Sequence, residues 1–161
     1  TFIYNYDDDT RHQGIELGLT GKWSLGSAGD LDARLAYTYN RFTFRDGTYG
    51  GNDIGGLPRQ YLSVNVDYSI ADLVFGVNVR GAIGSSYADH ANTQKMSGYA
   101  VWGAHISYEF AKESNVYLQV DNITDKRYIS WTSTPNQGSA NQDMYFPGNG
   151  RTVTAGVNFR F

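Results

Sequence analysis

The sequence predicts an all-β protein, an antiparallel β-barrel that crosses a membrane, and three observations lead to this fold class. Apolar and polar residues alternate along about seven segments, aromatic residues gather at the segment ends, and short connections alternate with long ones. The alternation gives each strand one apolar and one polar face. In a membrane barrel the apolar faces contact lipid, and the polar faces line the lumen.

The composition excludes several other classes of protein. No apolar run reaches the roughly 18 residues that a transmembrane helix needs. The chain of 161 residues has no cysteine, which excludes a disulfide framework and thiolate chemistry. Its net charge of -3 gives no basic surface for nucleic acid.

The last segment shows the strand pattern most clearly. Val153, Val157 and Phe159 fall on one face, whereas Thr154 and Asn158 fall on the other. The same two-residue period predicts strands in the following segments: 15–23, 31–40, 62–69, 73–80, 102–110, 116–121 and 153–161. A short apolar segment at 2–6 is a candidate for an eighth strand.

A water-soluble β-sandwich also alternates, but two further features favour the barrel. Aromatic residues end the apolar faces in two groups, as in the two interfacial girdles of a barrel: Tyr37, Tyr39, Phe42 and Phe44, and Trp23, Tyr108, Phe110, Phe159 and Phe161. The connections 24–30, 69–72 and 111–114 are short, whereas 43–57, 84–98 and 130–150 are long and polar. If the last strand ends at the periplasm, every long loop is extracellular.

Candidate catalytic and metal-binding residues are scattered, so we expect no enzyme and no metal centre. His12, His90 and His105 have no partners nearby in sequence. An outer-membrane hydrolase could pair His105 with Asp121 or Glu109, but nothing marks a nucleophile. The acidic run 7–9 lacks the spacing of a calcium-binding loop and is expected to be an exposed turn.

Several segments together resemble the C-terminal part of TonB-dependent siderophore receptors. The resemblance rests on the following segments, in this order: TRHQGIEL at 10–17, LPRQ at 57–60, VDNITDKRY at 120–128, FPGNGRT at 146–152, and Phe161. Gly150 stands where the family usually has proline. Segments 85–93 and 98–104 further resemble ferric-citrate-type receptors.

The resemblance implies a barrel of about 22 strands closed by an N-terminal plug. Residues 1–161 would then supply about eight C-terminal strands, and the plug would be absent. The whole protein would be an outer-membrane, TonB-dependent receptor that takes up ferric siderophores. Its partners would be the ferric siderophore, membrane lipid and lipopolysaccharide, the TonB complex through the missing N-terminal region, and the barrel-assembly machinery through Phe161. The alternative is a complete eight-stranded barrel of the OmpA type with a structural or adhesive role.

We expect the ligand to contact the long loops, without any covalently bound cofactor. Amide and indole groups suit the oxygens of an Fe(III) chelate. The candidate contacts are Trp131, Asn136, Gln137, Asn141, Gln142 and Tyr145, with His90 and Asn92 from the preceding loop. Asn141 is included because it resembles a ligand contact of ferric-citrate-type receptors. Lys126 and Arg127 would add attraction for an anionic chelate.

Two predictions concern the sheet itself. The polar row, expected to face the lumen, includes Glu16, Arg34, Asp67, Arg80, Glu109 and Arg160. The apolar row, expected to face lipid, includes Leu17, Leu35, Val66, Val79, Ile106 and Phe159. We further expect that the strands do not close into a ring of their own, because an eight-stranded lumen leaves little room for long charged side chains.

Overall fold

The computed structural model describes residues 9–139, 142 and 144–160 and contains nine β-strands within them. These are β1 (Thr10–Ser24), β2 (Asp30–Phe44), β3 (Gln60–Ile70), β4 (Leu73–Tyr87), β5 (Lys95–Ala111), β6 (Ser114–Asp121), β7 (Ile129–Thr132), β8 (Tyr145–Pro147) and β9 (Thr152–Asn158). Two short 3₁₀ turns, at Gly26–Ala28 and Gly47–Tyr49, lie between strands. Within the described ranges no helix has the length and apolar character needed to span a membrane.

Seven strands form one antiparallel sheet in the order β1-β2-β3-β4-β5-β6-β9, and β7 and β8 form a separate hairpin. A strand is therefore confirmed in each of the seven predicted alternating segments, although β9 ends at Asn158, before the end of the predicted segment 153–161. The edge strands β1 and β9 are not paired with each other, so the sheet is open and the expectation that it does not close is also confirmed. The candidate strand at 2–6 lies outside the described residues.

The register confirms which residues share a face. Paired residues in an antiparallel sheet project to the same side. Leu35 pairs with Leu19 and Val64, and Val64 pairs with Val79, which makes a continuous apolar row. Arg34 pairs with Thr20 and Asn65 on the opposite, polar face. Arg160 lies beyond the end of β9, where its side chain pairs with Glu113.

The two ends of the sheet differ in their connections, as predicted. Turns at 25–29, 71–72 and 112–113 join strands at one end, and the connections 45–59, 88–94 and 122–151 lie at the other. The predicted bounds of the long loops are wrong: the loop expected at 84–98 covers only 88–94, the one expected at 130–150 lies in a connection that covers 122–151, and the one expected at 43–57 covers 45–59. The strands β4 and β5 continue pairing past a bulge at which Gly84 has a φ of 79°. A strand of 15 residues spans about 50 Å, so it extends well past the roughly 25 Å apolar band of a barrel.

Buried apolar side chains lie mainly at the long-loop end of the sheet. Ala88, Met96 and Met144 form a small core against which Ile129 packs. Residues of the apolar face are instead exposed, as expected for a surface that contacts lipid; examples are Leu19, Val77 and Val157. The long-loop end is therefore the best-packed part of the described structure.

Candidate functional site

Asp89 lies at the centre of the long-loop end and is fully buried. Its carboxylate accepts hydrogen bonds from the backbone N–H groups of Thr93 and Gln94 at 2.9 and 3.0 Å, and from the Thr93 hydroxyl. It also accepts one from the backbone N–H of Gly138 at 3.0 Å. Since Gly138 belongs to the connection after β7, Asp89 ties two loops together.

The hydrogen bonds to Asp89 also fix its charge. Burial acts to raise the pKa of Asp89, because it disfavours the ionised carboxylate. The hydrogen bonds from Gly138, Thr93 and Gln94 outweigh burial, so the pKa lies below its ordinary value. The carboxylate is therefore ionised at neutral pH.

Asn92 connects the same loop to the connection between β2 and β3. Its Oδ1 accepts a hydrogen bond from the backbone N–H of Asp53, and its Nδ2 donates to the Asp53 carbonyl, both at 2.9 Å. The Asp53 carboxylate in turn accepts two hydrogen bonds from the Arg59 guanidinium, at 2.8 and 2.9 Å. Asn92 has a φ of 57°, a left-handed conformation that asparagine tolerates better than most residues.

His90 lies between all three loops. Its Nδ1 accepts a hydrogen bond from the backbone N–H of Gly55 at 3.2 Å, and its own backbone N–H donates to the Pro135 carbonyl at 3.1 Å. Its ring meets the buried Phe44 edge to face, with the centroids 5.1 Å apart. Burial lowers the pKa of His90, and the Asp89 carboxylate acts in the opposite direction. We call Asp53, Asp89, His90, Asn92 and Gly138 the loop junction.

A second cluster holds the two ends of the connection 122–151 together. The Asn122 side chain, 2% exposed, binds the backbone N–H and carbonyl of Lys126 and the carbonyl of Asn149, at 2.8 to 3.0 Å. The Asp125 carboxylate accepts a hydrogen bond from the backbone N–H of Arg151 at 2.9 Å. The Tyr128 ring packs on Gly148, leaving no room for a Cβ there. We call Asn122, Asp125, Tyr128 and Gly148 the base clasp. These residues come from the segments 120–128 and 146–152, on which the family resemblance partly rests, so both segments serve to hold the ends of this connection together.

Above the base clasp, β7 and β8 form a hairpin with exposed aromatic residues, here called the arm. Trp131 is 59% exposed, and its ring lies against Phe146 with the centroids 4.5 Å apart. Tyr145 is 42% exposed. The arm therefore presents an aromatic surface at the same end as the three loops.

Two clefts lie beside Tyr128, on the polar side of the sheet. The upper cleft has a volume of about 270 Å³, and Lys95, Tyr99, Lys126 and Arg127 are among its lining residues. The lower cleft has a volume of about 250 Å³ and is lined by Arg80, Asp121 and Asn122, among others. The Tyr99 and Tyr128 rings pack at 4.5 Å between centroids.

The predicted ligand contacts fall into two groups. Trp131 and Tyr145 are exposed on the arm, and Asn136, Gln137 and Gln142 are exposed in the connection between β7 and β8. His90 and Asn92 are only half-buried, but their side chains hydrogen-bond neighbouring loops. Asn141 lies outside the described residues. Sequence reasoning missed Asp89, although a carboxylate followed by Asn92 and Thr93 is a typical loop-capping pattern.

His105 does not make the partnership considered for a hydrolase. Its Nε2 lies 3.5 Å from Oδ1 of Asp67, whereas the carboxylate of Asp121 accepts a hydrogen bond from Gln119. Gly76 lies between His105 and Asp67 in the register, and its missing side chain leaves the space in which the two meet. In the described part of the chain, no three His, Cys, Asp or Glu side chains are grouped to hold a metal ion.

Comparison with known proteins identifies the family. The family model described as "TonB dependent receptor-like, beta-barrel" matches residues 1–123. The "Ferrichrome outer membrane transporter/phage receptor" of Escherichia coli (strain K12) is 32% identical over 95% of this chain and 20% of its own length. The "Ferrichrome receptor FcuA" of Yersinia enterocolitica is 27% identical over 100% of this chain and 21% of its own length. Neither name describes an enzyme.

Solved structures agree in fold. The siderophore receptor PiuA from Acinetobacter baumannii aligns with a TM-score of 0.76 at 22% identity, over 94% of this chain and 22% of that chain. The ferric citrate transporter FecA aligns with a TM-score of 0.74 at 26% identity, over 91% of this chain and 23% of that chain. The more specific resemblance to ferric-citrate-type receptors stays a prediction.

The chain spans about a fifth of the length of the curated relatives that it matches. Its antiparallel sheet shares the fold of the solved structures of PiuA and FecA. The chain therefore belongs to the TonB-dependent receptor β-barrel family, whose members lie in the outer membrane of Gram-negative bacteria.

Proposed function

We propose that this chain forms part of the barrel of a receptor that takes up ferric siderophores by TonB-dependent transport. Two relatives, which match 95% and 100% of the chain, are named as a transporter and a receptor of ferrichrome, and this observation carries the proposal. Residues 1–161 would supply C-terminal strands of the barrel wall, and the plug and the TonB-binding segment would belong to the rest of the protein.

The long-loop end supports a role in ligand capture. Three connections meet there, and the arm adds exposed aromatic and amide groups that suit a chelate with both apolar and oxygen-rich surfaces. In this proposal Trp131, Asn136, Gln137, Asn141, Gln142 and Tyr145 contact the ligand. His90 and Asn92 contribute by holding the loops in place, because their side chains already hydrogen-bond backbone groups of neighbouring loops.

The remaining partners follow from the same proposal. The apolar face would contact membrane lipid and, in the outer leaflet, lipopolysaccharide. The barrel-assembly machinery would recognise the last strand through Phe161, which lies outside the described residues. Iron enters as cargo inside its chelate, so no covalently bound cofactor is required.

The alternative, a complete barrel of the OmpA type, is not favoured. Such a barrel closes by pairing its first and last strands. Within the described residues, β1 and β9 are both edges of an open sheet. The long relatives that match nearly the whole chain also favour a part of a larger barrel.

Uptake and binding by the full-length receptor test the proposal. Cells that lack the receptor should fail to take up an iron-labelled siderophore, and the wild-type gene should restore uptake. By calorimetry, Trp131→Ala should weaken binding of that siderophore about tenfold, which is typical for loss of an aromatic contact. The matched control Trp23→Ala changes a similarly exposed indole at the opposite end and should leave affinity unchanged. A receptor that binds none of the ferric siderophores tested would overturn the proposal.

A further inference from the structure

We propose that Asn149 is a site of spontaneous deamidation, and that this modification opens the base clasp. In the sequence Asn149 is the one asparagine that a glycine follows. Gly150 stands where the family usually has proline, so the reactive pair arises from a departure of this chain from the family pattern. The modification does not depend on the proposed function.

The side chain of Asn149 and the backbone nitrogen of Gly150 are both free to react. Both residues are exposed, and the Asn149 side chain makes no hydrogen bond to another described residue. The backbone N–H of Gly150 likewise donates no hydrogen bond within the described part of the chain. A Cβ at residue 150 would meet only the carboxylate of Asp125, at 3.2 Å, so packed groups do not surround this nitrogen.

The reaction needs no enzyme, and water is its only co-reactant. The Gly150 nitrogen loses its proton to solvent and attacks Cγ of Asn149, and ammonia leaves as the bond from Cγ to Nδ2 breaks. Because glycine has no Cβ, its backbone can approach another group closely, which favours this ring closure. Water then opens the cyclic imide at either carbonyl, and aspartate or isoaspartate is left at position 149.

Isoaspartate changes the course of the main chain at the base clasp. In this product the chain runs through Cγ, so an extra methylene group separates the Cα of residue 149 from the nitrogen of Gly150. The Asn149 carbonyl accepts a hydrogen bond from Nδ2 of Asn122 at 3.0 Å, and the Arg151 N–H donates one to Asp125 at 2.9 Å. The extra methylene group lies between these two contacts along the chain. Both contacts therefore cannot keep their present geometry, and the base clasp opens.

Deamidation also changes the charge of the lower cleft. Asn149 lines this cleft together with Arg80 and Asp121. Both products carry a carboxylate, which is ionised at neutral pH. The single cation of the cleft is then accompanied by two carboxylates instead of one.

The test follows the full-length receptor during incubation at mildly alkaline pH, at which the backbone nitrogen loses its proton more readily. By peptide mass spectrometry, Asn149 should deamidate roughly tenfold faster than Asn136, an exposed asparagine that glutamine follows. Part of the product should be a substrate for an isoaspartyl methyltransferase. In the isoaspartate fraction, hydrogen exchange should be roughly tenfold faster at 122–132 and 144–151 and unchanged at 88–94.

Two variants are the controls. Asn149→Gln leaves residue 150 unchanged but requires a larger ring, so it should stay unmodified and keep wild-type exchange. Gly150→Pro removes the attacking N–H and should also stay unmodified. Neither variant removes a hydrogen bond that the side chain of residue 149 or the N–H of residue 150 makes to a described residue.

The outcomes separate the chemistry from its structural effect. Deamidation of Asn149 that is no faster than that of Asn136 would overturn the site. Equal deamidation in Gly150→Pro would overturn attack by the backbone nitrogen. Isoaspartate at position 149 with wild-type exchange at 122–132 would overturn the opening of the base clasp.

Discussion

The loop junction and the arm lie at the same end of the sheet, yet they are held in different ways. At the junction a fully buried carboxylate accepts hydrogen bonds from two loops, and little of the side chain is left for a ligand. The arm exposes Trp131, Tyr145 and Phe146. The base clasp joins the two ends of the connection 122–151, which contains the arm. Buried polar side chains thus hold the loops in place, whereas the aromatic side chains of the arm stay exposed.

The largest effect is expected from removing the buried carboxylate. Asp89→Ala leaves the backbone N–H groups of Thr93, Gln94 and Gly138 without their acceptor. We expect local stability to fall by about 3 kcal/mol, since hydrogen bonds to a charged group and unsatisfied buried donors both contribute. Hydrogen exchange in the full-length receptor should then become roughly 100-fold faster at 88–94 and 135–138.

Two further variants sharpen that experiment. Asp89→Asn keeps the shape and one acceptor, so its effect should be smaller than that of alanine. Asp72→Ala, in a short turn at the opposite end, should leave exchange in the loops unchanged. Wild-type exchange in Asp89→Ala would show that the junction does not depend on this carboxylate.

An intermediate effect is expected at the base clasp. Gly148→Ala forces a methyl group against the Tyr128 ring and should cost about 1–3 kcal/mol through overpacking. Exchange should accelerate at 122–132 and 144–151, with little change at 88–94. Gly18→Ala is the matched control, because a Cβ there meets nothing within 4 Å. Equal acceleration at 88–94 would mean that the clasp and the junction open together.

The smallest change in the stability of the loop junction is expected when the pH is lowered. Because burial lowers the pKa of His90 below its ordinary value of 6.5, an opened loop takes up a proton before the closed loop does. Stability of the junction should be complete above pH 6.5 and should decrease as pH falls through the lowered pKa of His90. The rate of hydrogen exchange at 88–94, corrected for its intrinsic pH dependence, should therefore rise as pH falls in the wild-type receptor. The same correction should leave little pH dependence in His90→Gln. Asp89, with its lowered pKa, stays ionised through the upper part of this range.

The strands were predictable because successive residues of a strand face lipid and the polar lumen in turn. Lipid on one side and a polar lumen on the other impose strict alternation, and the register confirms it from Leu19 to Ala155. The arm was not predicted, since β7 and β8 have four and three residues and a register shift near Ile129. Strands this short give too few residues for a period to be recognised.

The exposed contacts could be suggested from side-chain chemistry, but the junction could not. Burial of Asp89 depends on loops that are far apart in sequence and meet only after β2 to β5 have paired. The spacing of Asp89 from Asn92 and Thr93 suggests a loop cap, but it does not show that this carboxylate is buried whereas those of Asp46 and Asp72 are exposed. By contrast, part of the role of Asn122 was predictable, because its side chain binds the backbone of Lys126 just after β6 ends.

The contact of His105 with Asp67 affects the shape of the sheet. Backbone hydrogen bonds connect each strand only to its immediate neighbours, whereas this contact joins β3 and β5 across Gly76. When a sheet bends, side chains on strands two apart change their separation more than those on adjacent strands. Because Gly76 has no side chain, His105 and Asp67 can meet across β4 and resist flattening of the barrel wall. The backbone hydrogen bonds between adjacent strands do not provide this restraint on curvature.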